Sequence, residues 1–387
     1  MDIKNSFDAR FARIELDLVQ RAREFAKQHL GIAGPISKSS HRRLLQEACR
    51  IGLAGIEVPV EFGGASASFA TRMRVCEELA LRHAGFAFSL VNHHNVVSRI
   101  AISGGSELQG GLIAAMLEGS RIGCTAMSEP QSGSDFSAMQ TKAVPIQDGW
   151  VLSGAKAWIT NASLADVFLV YAQTDAEKGA NGVAGFIVLA DDIGFQRGQP
   201  YSASGTEGMG VAQFTLADCA VSNERLLYPP GEGFRAAMRG VNQARVHVAA
   251  MNAAMVESAL AASLSYASNR QAFGASLIEF QGLGWSLANV ATHLHAMRLL
   301  AYAAADAIDA REDAQAMAAM AKKYANDTTM QAISTCMQAM GAHGITEEAG
   351  LGPLLAWAKA FCYTDGTPEM MNERIVRYMR KAQRNSQ

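Results

Sequence analysis

The chain has 387 residues, 49% of them hydrophobic and 18% charged, and 34 Lys+Arg against 36 Asp+Glu give a formal net charge of −2. That size and apolar content allow two or three layers with a substantial core, with disorder expected only at the ends. The near-balance of charge argues against a basic nucleic-acid footprint or a polyacidic tail, and six scattered cysteines without a CxxC pair point to packed, reduced thiols and to no metal site.

The opening Met-Asp-Ile-Lys-Asn-Ser runs into an amphipathic helix and lacks the apolar centre of a signal peptide. No uninterrupted apolar stretch approaches the roughly 20 residues that a bilayer requires. The expectation is a soluble, cytoplasmic protein with no membrane and no nucleic-acid partner. From Phe7 to about Gly119 the pattern is helical, with Phe7-Phe11-Ile14-Leu18 and Leu44-Leu45-Ala48-Ile51 near the period of a buried face. Gly and Pro punctuate it at 31–35 and 58–64.

After Arg121 short runs rich in β-branched and aromatic residues alternate with turns: Ile122–Met127, Met139–Ile146, Trp150–Leu152, Val167–Gln173, Val183–Leu189 and Val211–Leu216. Such spacing predicts a small antiparallel β domain. Past Gly231-Glu-Gly233 the helical period returns in Ala-rich stretches at Ala236–Ala262, Leu287–Ala310 and Ala314–Met340, and with a last pair these predict a bundle. The expected architecture is α+β, with an N-terminal helical domain over 1–120, a central antiparallel β domain over 121–229 and a C-terminal four-helix bundle over 230–387. Since a helical bundle and a sheet domain each bury their own core, ligands are expected in the cleft between them.

Five segments carry chemistry. Cys124-Thr-Ala-Met-Ser-Glu-Pro-Gln-Ser-Gly-Ser-Asp135 joins a strand end to a Gly/Ser loop rich in N–H and O–H donors, which suits an anion or a polar ring edge and equally suits an ordinary loop. In Ser153-Gly-Ala-Lys-Ala-Trp-Ile-Thr-Asn161, strand periodicity puts Trp158 and Thr160 on one face, where an indole beside a hydroxyl suits a planar heterocycle; a core Trp with a surface Thr reads the same. Arg270, in the connection 269–281, is available for a phosphate or is a plain surface arginine. Gln338-Ala-Met-Gly-Ala-His-Gly344 closes a helix with two glycines three apart, a C-cap or a close approach to a ligand. Finally, Phe361-Cys-Tyr-Thr-Asp-Gly-Thr-Pro-Glu369 interrupts a helical pattern that runs from about Gln315 to Tyr363, and presents Asp365 on a tight turn with Pro placed to begin the next helix. A carboxylate held there suits general-base work, or simply decorates the turn.

In this order and spacing the segments resemble the acyl-CoA dehydrogenase flavoprotein family over nearly the whole chain. The resemblance implies FAD, extended between the β domain and the C-terminal bundle, with part of its site supplied by a neighbouring subunit of a homotetramer. It implies that Met127, Ser128, Gly133 and Ser134 contact flavin and thioester, and that Trp158 and Thr160 flank the isoalloxazine. It further implies that Arg270, Phe273, Gln281, Gln338, Gly341 and Gly344 reach the pyrophosphate and adenosine portions, and that Thr367 and Glu369 also meet FAD. Substrate contacts fall on Ser134, Met238, Asn242, Arg245 and Gly366. Asp365 matches the family's base, which removes the α-proton of an acyl-CoA while hydride leaves the β-carbon for flavin, and an electron-transferring flavoprotein is the implied acceptor.

The chain departs from the family's pattern at the base. Thr364-Asp365-Gly366-Thr367 stands where most members have Tyr-Glu-Gly-Thr, and the shorter acid withdraws the carboxylate by roughly 1.5 Å. That change suits a substrate seated differently, such as a branched, cyclic or otherwise substituted acyl group, or altered chemistry such as β-elimination or reaction with oxygen. The position from which a branch of the family takes its base is Ala244 here. His93, His94 and His343 read as solvated or capping histidines. A non-catalytic flavin-binding paralogue predicts a basic excess that is absent, and no βαβ unit with GxGxxG supports a nicotinamide enzyme.

Overall fold

The computed structural model describes residues 3–31 and 36–385. The Gly/Pro break at 31–35 therefore lies, beyond Gly31, outside the described residues, as do Met1 and Asp2. The N-terminal period builds α1 (Ile3–Asp8), α2 (Arg13–His29), α3 (Lys38–Arg50), α4 (Phe69–Ser103) and α5 (Ser106–Leu117). α2 buries Leu18, Val19, Ala22, Phe25 and Ala26 along one stripe. α4 breaks at His83, where φ −149° and ψ 93° are not helical, and His83 Nδ1 accepts the N–H of Phe86 at 3.1 Å to start the second half.

The middle of the chain forms β1 (Gly123–Ala126), β2 (Lys142–Ile146), β3 (Gly149–Ile159), β4 (Val167–Gln173), β5 (Val183–Leu189), β6 (Phe195–Pro200), β7 (Ala212–Ser222) and β8 (Leu226–Tyr228). The sheet order is β6-β7-β3-β2-β4-β5-β8, with β1 beside β4. Pairing is mostly antiparallel; β1 is parallel to β4 from Gly123↔Val167 to Ala126↔Val170, and β2 meets β4 in the same sense at Lys142↔Gln173. Two strands escape the sequence pattern. β6 carries Gln, Arg, Gly and Pro, tolerable because it is an edge strand, and β8 is three residues long at the other edge.

Helices then resume as α6 (Gly233–Asn269), followed by a two-residue hairpin of β9 (Gln271–Ala272) and β10 (Ala275–Ser276), α7 (Gln281–Asp309), α8 (Gln315–Ala339), α9 (Gly352–Phe361) and α10 (Pro368–Asn385). The expected four long helices are α6, α7, α8 and α10. By length and composition α6 is apolar enough to cross a membrane; 67% of its most apolar window is buried inside the protein. Val246, Val248, Ala249, Ala250, Met251 and Ala253 are all core residues. An Ala-rich core helix has the composition of a span without needing lipid.

By Cα packing the chain divides into two units, Met1–Pro35, Phe69–Ala87 and Asn242–Gln387 in the first, Ile36–Ser68 and Phe88–Val241 in the second. In the first, Arg74 is fully buried and donates to Asp8 at 2.7 Å, Glu77 at 2.6 Å and Glu78 at 2.7 Å. Arg298 Nε (2.7 Å) and the Tyr302 hydroxyl (2.8 Å) also donate to Glu77, so α7 is tied to α4 by a satisfied ionic network. Asn252 donates to Asn326 at 3.2 Å, joining α6 to α8. In the second unit the sheet packs on α4 and α5 through Val96, Val97, Ile100, Ile113 and Met116 against Val167, Leu169 and Ile187.

Candidate active site

Asp365 sits in the turn between α9 and α10, at φ +53°, with Gly366 next at φ +98°. Two consecutive left-handed residues are unfavourable for any side chain but glycine, so the turn needs outside support. Two cations supply it. Lys322 of α8, fully buried, donates through Nζ to the carbonyls of Thr364 and Gly366. Arg245 of α6, 4% exposed, donates through Nε to the carbonyl of Asp365 at 3.1 Å and through Nη1 to Asn242 Oδ1 at 2.8 Å. Three successive carbonyls of the turn are thus held by positive groups.

The electrostatics follow from that geometry. Burial pulls the Lys322 ammonium down to about 8, opposed by Asp365 and reinforced by Arg245. Burial likewise lowers Arg245 to about 10, with Arg374 adding to the effect and Asp365 opposing it. Both remain cations at neutral pH, and both act on Asp365. Glu369, one turn on, is held below its ordinary range chiefly by the Thr367 side chain.

In the second unit, the loop after β1 is pinned by a buried ion pair. Lys156 Nζ donates to Glu129 Oε1 at 2.9 Å and to the Met127 carbonyl at 3.1 Å. Glu129 also accepts N–H groups of Gln140 (2.6 Å) and Thr141 (2.9 Å). Burial lowers Lys156 to about 8 against the pull of Glu129. The Ala157 N–H donates to the Ser128 carbonyl at 3.1 Å, so Met127 and Ser128 are fixed beside the end of β3. Gly133 and Ser134 are exposed further along the loop.

The expectation that Trp158 and Thr160 share a face needs correction. The β3–β7 register slips between Lys156 and Ile159, Trp158 has φ +61°, and the strand ends at Ile159. A bulge breaks the two-residue alternation. Trp158 is consequently 59% exposed while Thr160 is buried. The indole stacks on Tyr201 at 4.0 Å and 12°, which makes an aromatic platform. Past it, buried Asn161 receives the Ser89 hydroxyl and donates to the carbonyls of Ser89 (2.9 Å) and Gly123 (3.2 Å).

Met238, on α6, lies in the second unit, and the remaining candidates lie in the first. Phe273, at φ +50° in the β9–β10 turn, is 99% exposed. Arg270, Gln281, Gln338 and Gly341 are exposed, Gly344 is buried, and among the described residues Arg270 forms no side-chain hydrogen bond or ion pair. Among the described residues seven non-glycine positions have left-handed backbone, and Trp158, Phe273 and Asp365 are three of them. Such outliers concentrate where function constrains the chain. The donor set fits FAD: an exposed indole platform for a planar ring, an unpaired guanidinium for a phosphate, and strained apolar residues turned outward.

His93 and His94 are buried, not solvated. His93 Nδ1 accepts the Gly123 N–H at 2.8 Å, Nε2 faces the Met116 carbonyl at 2.9 Å, and burial pulls the imidazole down to about 4. His94 accepts the Glu57 N–H at 3.2 Å. Both tie backbone together. His343 stacks on Tyr266 at 5.0 Å. A separate cavity of about 830 Å³, lined by Lys38, Arg42, Arg43, Asp166 and Arg197, holds none of the candidate residues.

Each of the three parts matches a family model: the acyl-CoA dehydrogenase N-terminal domain over residues 14–120, the middle domain over 124–219 and the C-terminal domain over 231–379. An α+β fold with helical ends and a central sheet, matched throughout, defines a flavoprotein oxidoreductase. The chain belongs to the acyl-CoA dehydrogenase family, and FAD is its cofactor. It is 30% identical over 366 residues, 94% of this chain and 85% of the other, to the short/branched chain specific acyl-CoA dehydrogenase of Rattus norvegicus mitochondria. Butyryl-CoA dehydrogenase from Megasphaera elsdenii superposes with a TM-score of 0.90 at 28% identity, over 95% of this chain and 98% of that one. PigA with FAD and proline superposes at 0.89 and 26% identity, over 98% and 99%.

Proposed function

We propose that this protein dehydrogenates an acyl-CoA thioester between its α- and β-carbons to the 2,3-enoyl-CoA, with Asp365 as general base and a branched, cyclic or otherwise substituted acyl group as substrate. The observation that carries the reading is the hold on the base: the turn bearing Asp365 is bonded at three carbonyls by Lys322 and Arg245. A base on a fixed backbone keeps its direction when substrate arrives. FAD, when bound, supplies the hydride acceptor for the β-hydrogen.

The chain's own residues do the rest. Asp365 takes the α-proton, and the N–H of Asp365 donates to the thioester carbonyl, where negative charge develops as the proton leaves. The cations behind the turn favour the ionised base. Met127, Ser128, Gly133 and Ser134 contact the flavin and the thioester, Trp158 and Thr160 flank the flavin ring, Arg270, Phe273, Gln281, Gln338, Gly341 and Gly344 reach the phosphate and adenosine portions, and Thr367 and Glu369 also meet FAD. Met238, Asn242, Arg245 and Gly366 contact the substrate. The domain limits at 1–120, 121–229 and 230–387, a homotetramer, a cytoplasmic site and an electron-transferring flavoprotein as acceptor complete the reading on family likeness.

Product analysis tests it. Incubation with a turned-over thioester should yield a product lighter by two hydrogens, with the double bond conjugated to the thioester. Loss of a β-substituent, or hydrogen peroxide in place of reduced acceptor, would instead favour altered chemistry at the Asp365 site.

A further inference from the structure

We infer that Arg99 selects an acyl group bearing a carboxylate at the end remote from the thioester; this rests on the assignment above of Met127, Ser128 and Met238 to the thioester site. Along α4, Asn92, Asn95 and Arg99 recur at i, i+3 and i+7 and are partly exposed, whereas residues 93, 94, 96–98 and 100 are buried. Over residues 92–100 the helix therefore carries a partly exposed polar stripe on one face and is otherwise buried. That stripe meets β1. Asn92 Oδ1 accepts the Thr125 N–H at 2.9 Å, and Arg99 Nη1 donates to the Thr125 hydroxyl at 3.3 Å. Thr125 lies two residues before Met127.

The same guanidinium rests against α6. A Cβ built on Gly240 would fall 1.7 Å from Arg99 Nη2 and 2.8 Å from Cζ, so only glycine admits the arginine there. Gly240 lies two residues after Met238, and Met127 and Met238 both pack on the apolar cluster that contains Val96, Val97 and Ile100 of α4. Arg99 thus touches both segments assigned to the thioester. Close by, the Tyr171 hydroxyl is buried with no hydrogen-bond partner among the described residues, and Arg99 and Arg239 both act on it electrostatically.

Among the described residues Arg99 forms no ion pair and one hydrogen bond, although a guanidinium carries five N–H donors. Its planar fork matches a carboxylate bidentately, and the Asn92 carboxamide stands on the same helix face to complete the shell. An alkyl tail ending there would desolvate those donors and satisfy none of them. A carboxylate satisfies them.

The test compares CoA monothioesters of dicarboxylic acids with the unsubstituted thioesters of equal chain length, by anaerobic bleaching of the flavin and by steady-state kcat and KM. The holoenzyme should favour the dicarboxylic thioester in kcat/KM, and Arg99→Met should lower that preference by about 10²-fold, mainly through KM, as truncation of one partner of a desolvated charge pair does. Gly240→Ala, which displaces the guanidinium while improving helix propensity, should move the preference in the same direction with FAD content retained. A holoenzyme that favours unsubstituted thioesters, with both variants affecting the two classes equally, would overturn the inference and leave the dehydrogenase reading standing. Flavin that no thioester bleaches would overturn both.

Discussion

Lys322 and Asp365 are coupled through the backbone on both sides of the acid: the buried ammonium donates to the carbonyl before it, at Thr364, and to the carbonyl after it, at Gly366. Arg245 takes the carbonyl between them. The position of the carboxylate is therefore set by groups on α6 and α8. Replacing Lys322 by Met should leave FAD content unchanged and lower kcat by about 10- to 100-fold, the range expected for a misplacement on the order of 1 Å. A kcat within twofold of the parent would show that the turn holds itself.

Asp365→Asn keeps the turn's shape and removes the base, and should lower kcat by about 10³-fold, within the usual range for a positioned general base. Asp365→Glu restores the family's chain length. If the acyl group is seated to suit the shorter acid, that variant should gain on straight-chain thioesters and lose on the native class, as read from paired kcat/KM values.

Trp158 stands on Tyr201 with most of its indole exposed. Trp158→Ala should weaken FAD binding by about fivefold, in line with roughly 1 kcal/mol for one aromatic stack. Equilibrium dialysis of apoprotein and variant against FAD reads this directly; equal affinities would remove Trp158 from the cofactor site.

The Lys156–Glu129 pair is buried, and breaking one side leaves an uncompensated charge. Glu129→Gln should cost about 3 kcal/mol of stability, and the double variant Glu129→Leu/Lys156→Met should recover most of it. Thermal unfolding followed by flavin release checks both.

Glu77 offers a pH test. Burial alone would raise it, but Arg74 and Arg298 outweigh burial and hold the carboxyl down at about 2. Between that value and the ordinary carboxylate range, the unfolded chain binds a proton that the folded chain does not. The contribution is thus fully present above about pH 4.5 and lost as pH falls through about 2, amounting to roughly 3 kcal/mol. Stability of the parent should fall more steeply from pH 5 to pH 2 than that of Glu77→Gln; parallel curves would show that Glu77 titrates normally.

Much of this was legible in the sequence because it depends on period and local chemistry. The helical stripes of α2, α6 and α8, strands β4 and β5, and the α9–α10 turn with Pro368 opening α10 all follow from short-range pattern. β6 and β8 were not legible, since edge strands need no apolar alternation. The turn's glycine was readable as Gly366, but nothing marked Asp365, Trp158 or Phe273 as left-handed, because strain is imposed by tertiary contacts. The bulge that separates Trp158 from Thr160 likewise depends on pairing with β7. Lys156 and Lys322 escaped as positioning residues for a similar reason: a buried cation looks like a surface cation until its partners are known.

The decisive measurement is an anaerobic titration of the purified flavoprotein with straight, branched, cyclic and carboxylated acyl-CoA thioesters, repeated with Asp365→Asn. Bleaching of the flavin by one class of thioester in the parent, and its absence in the variant with FAD still bound, is the expected result. Equal bleaching in both proteins would contradict Asp365 as the base.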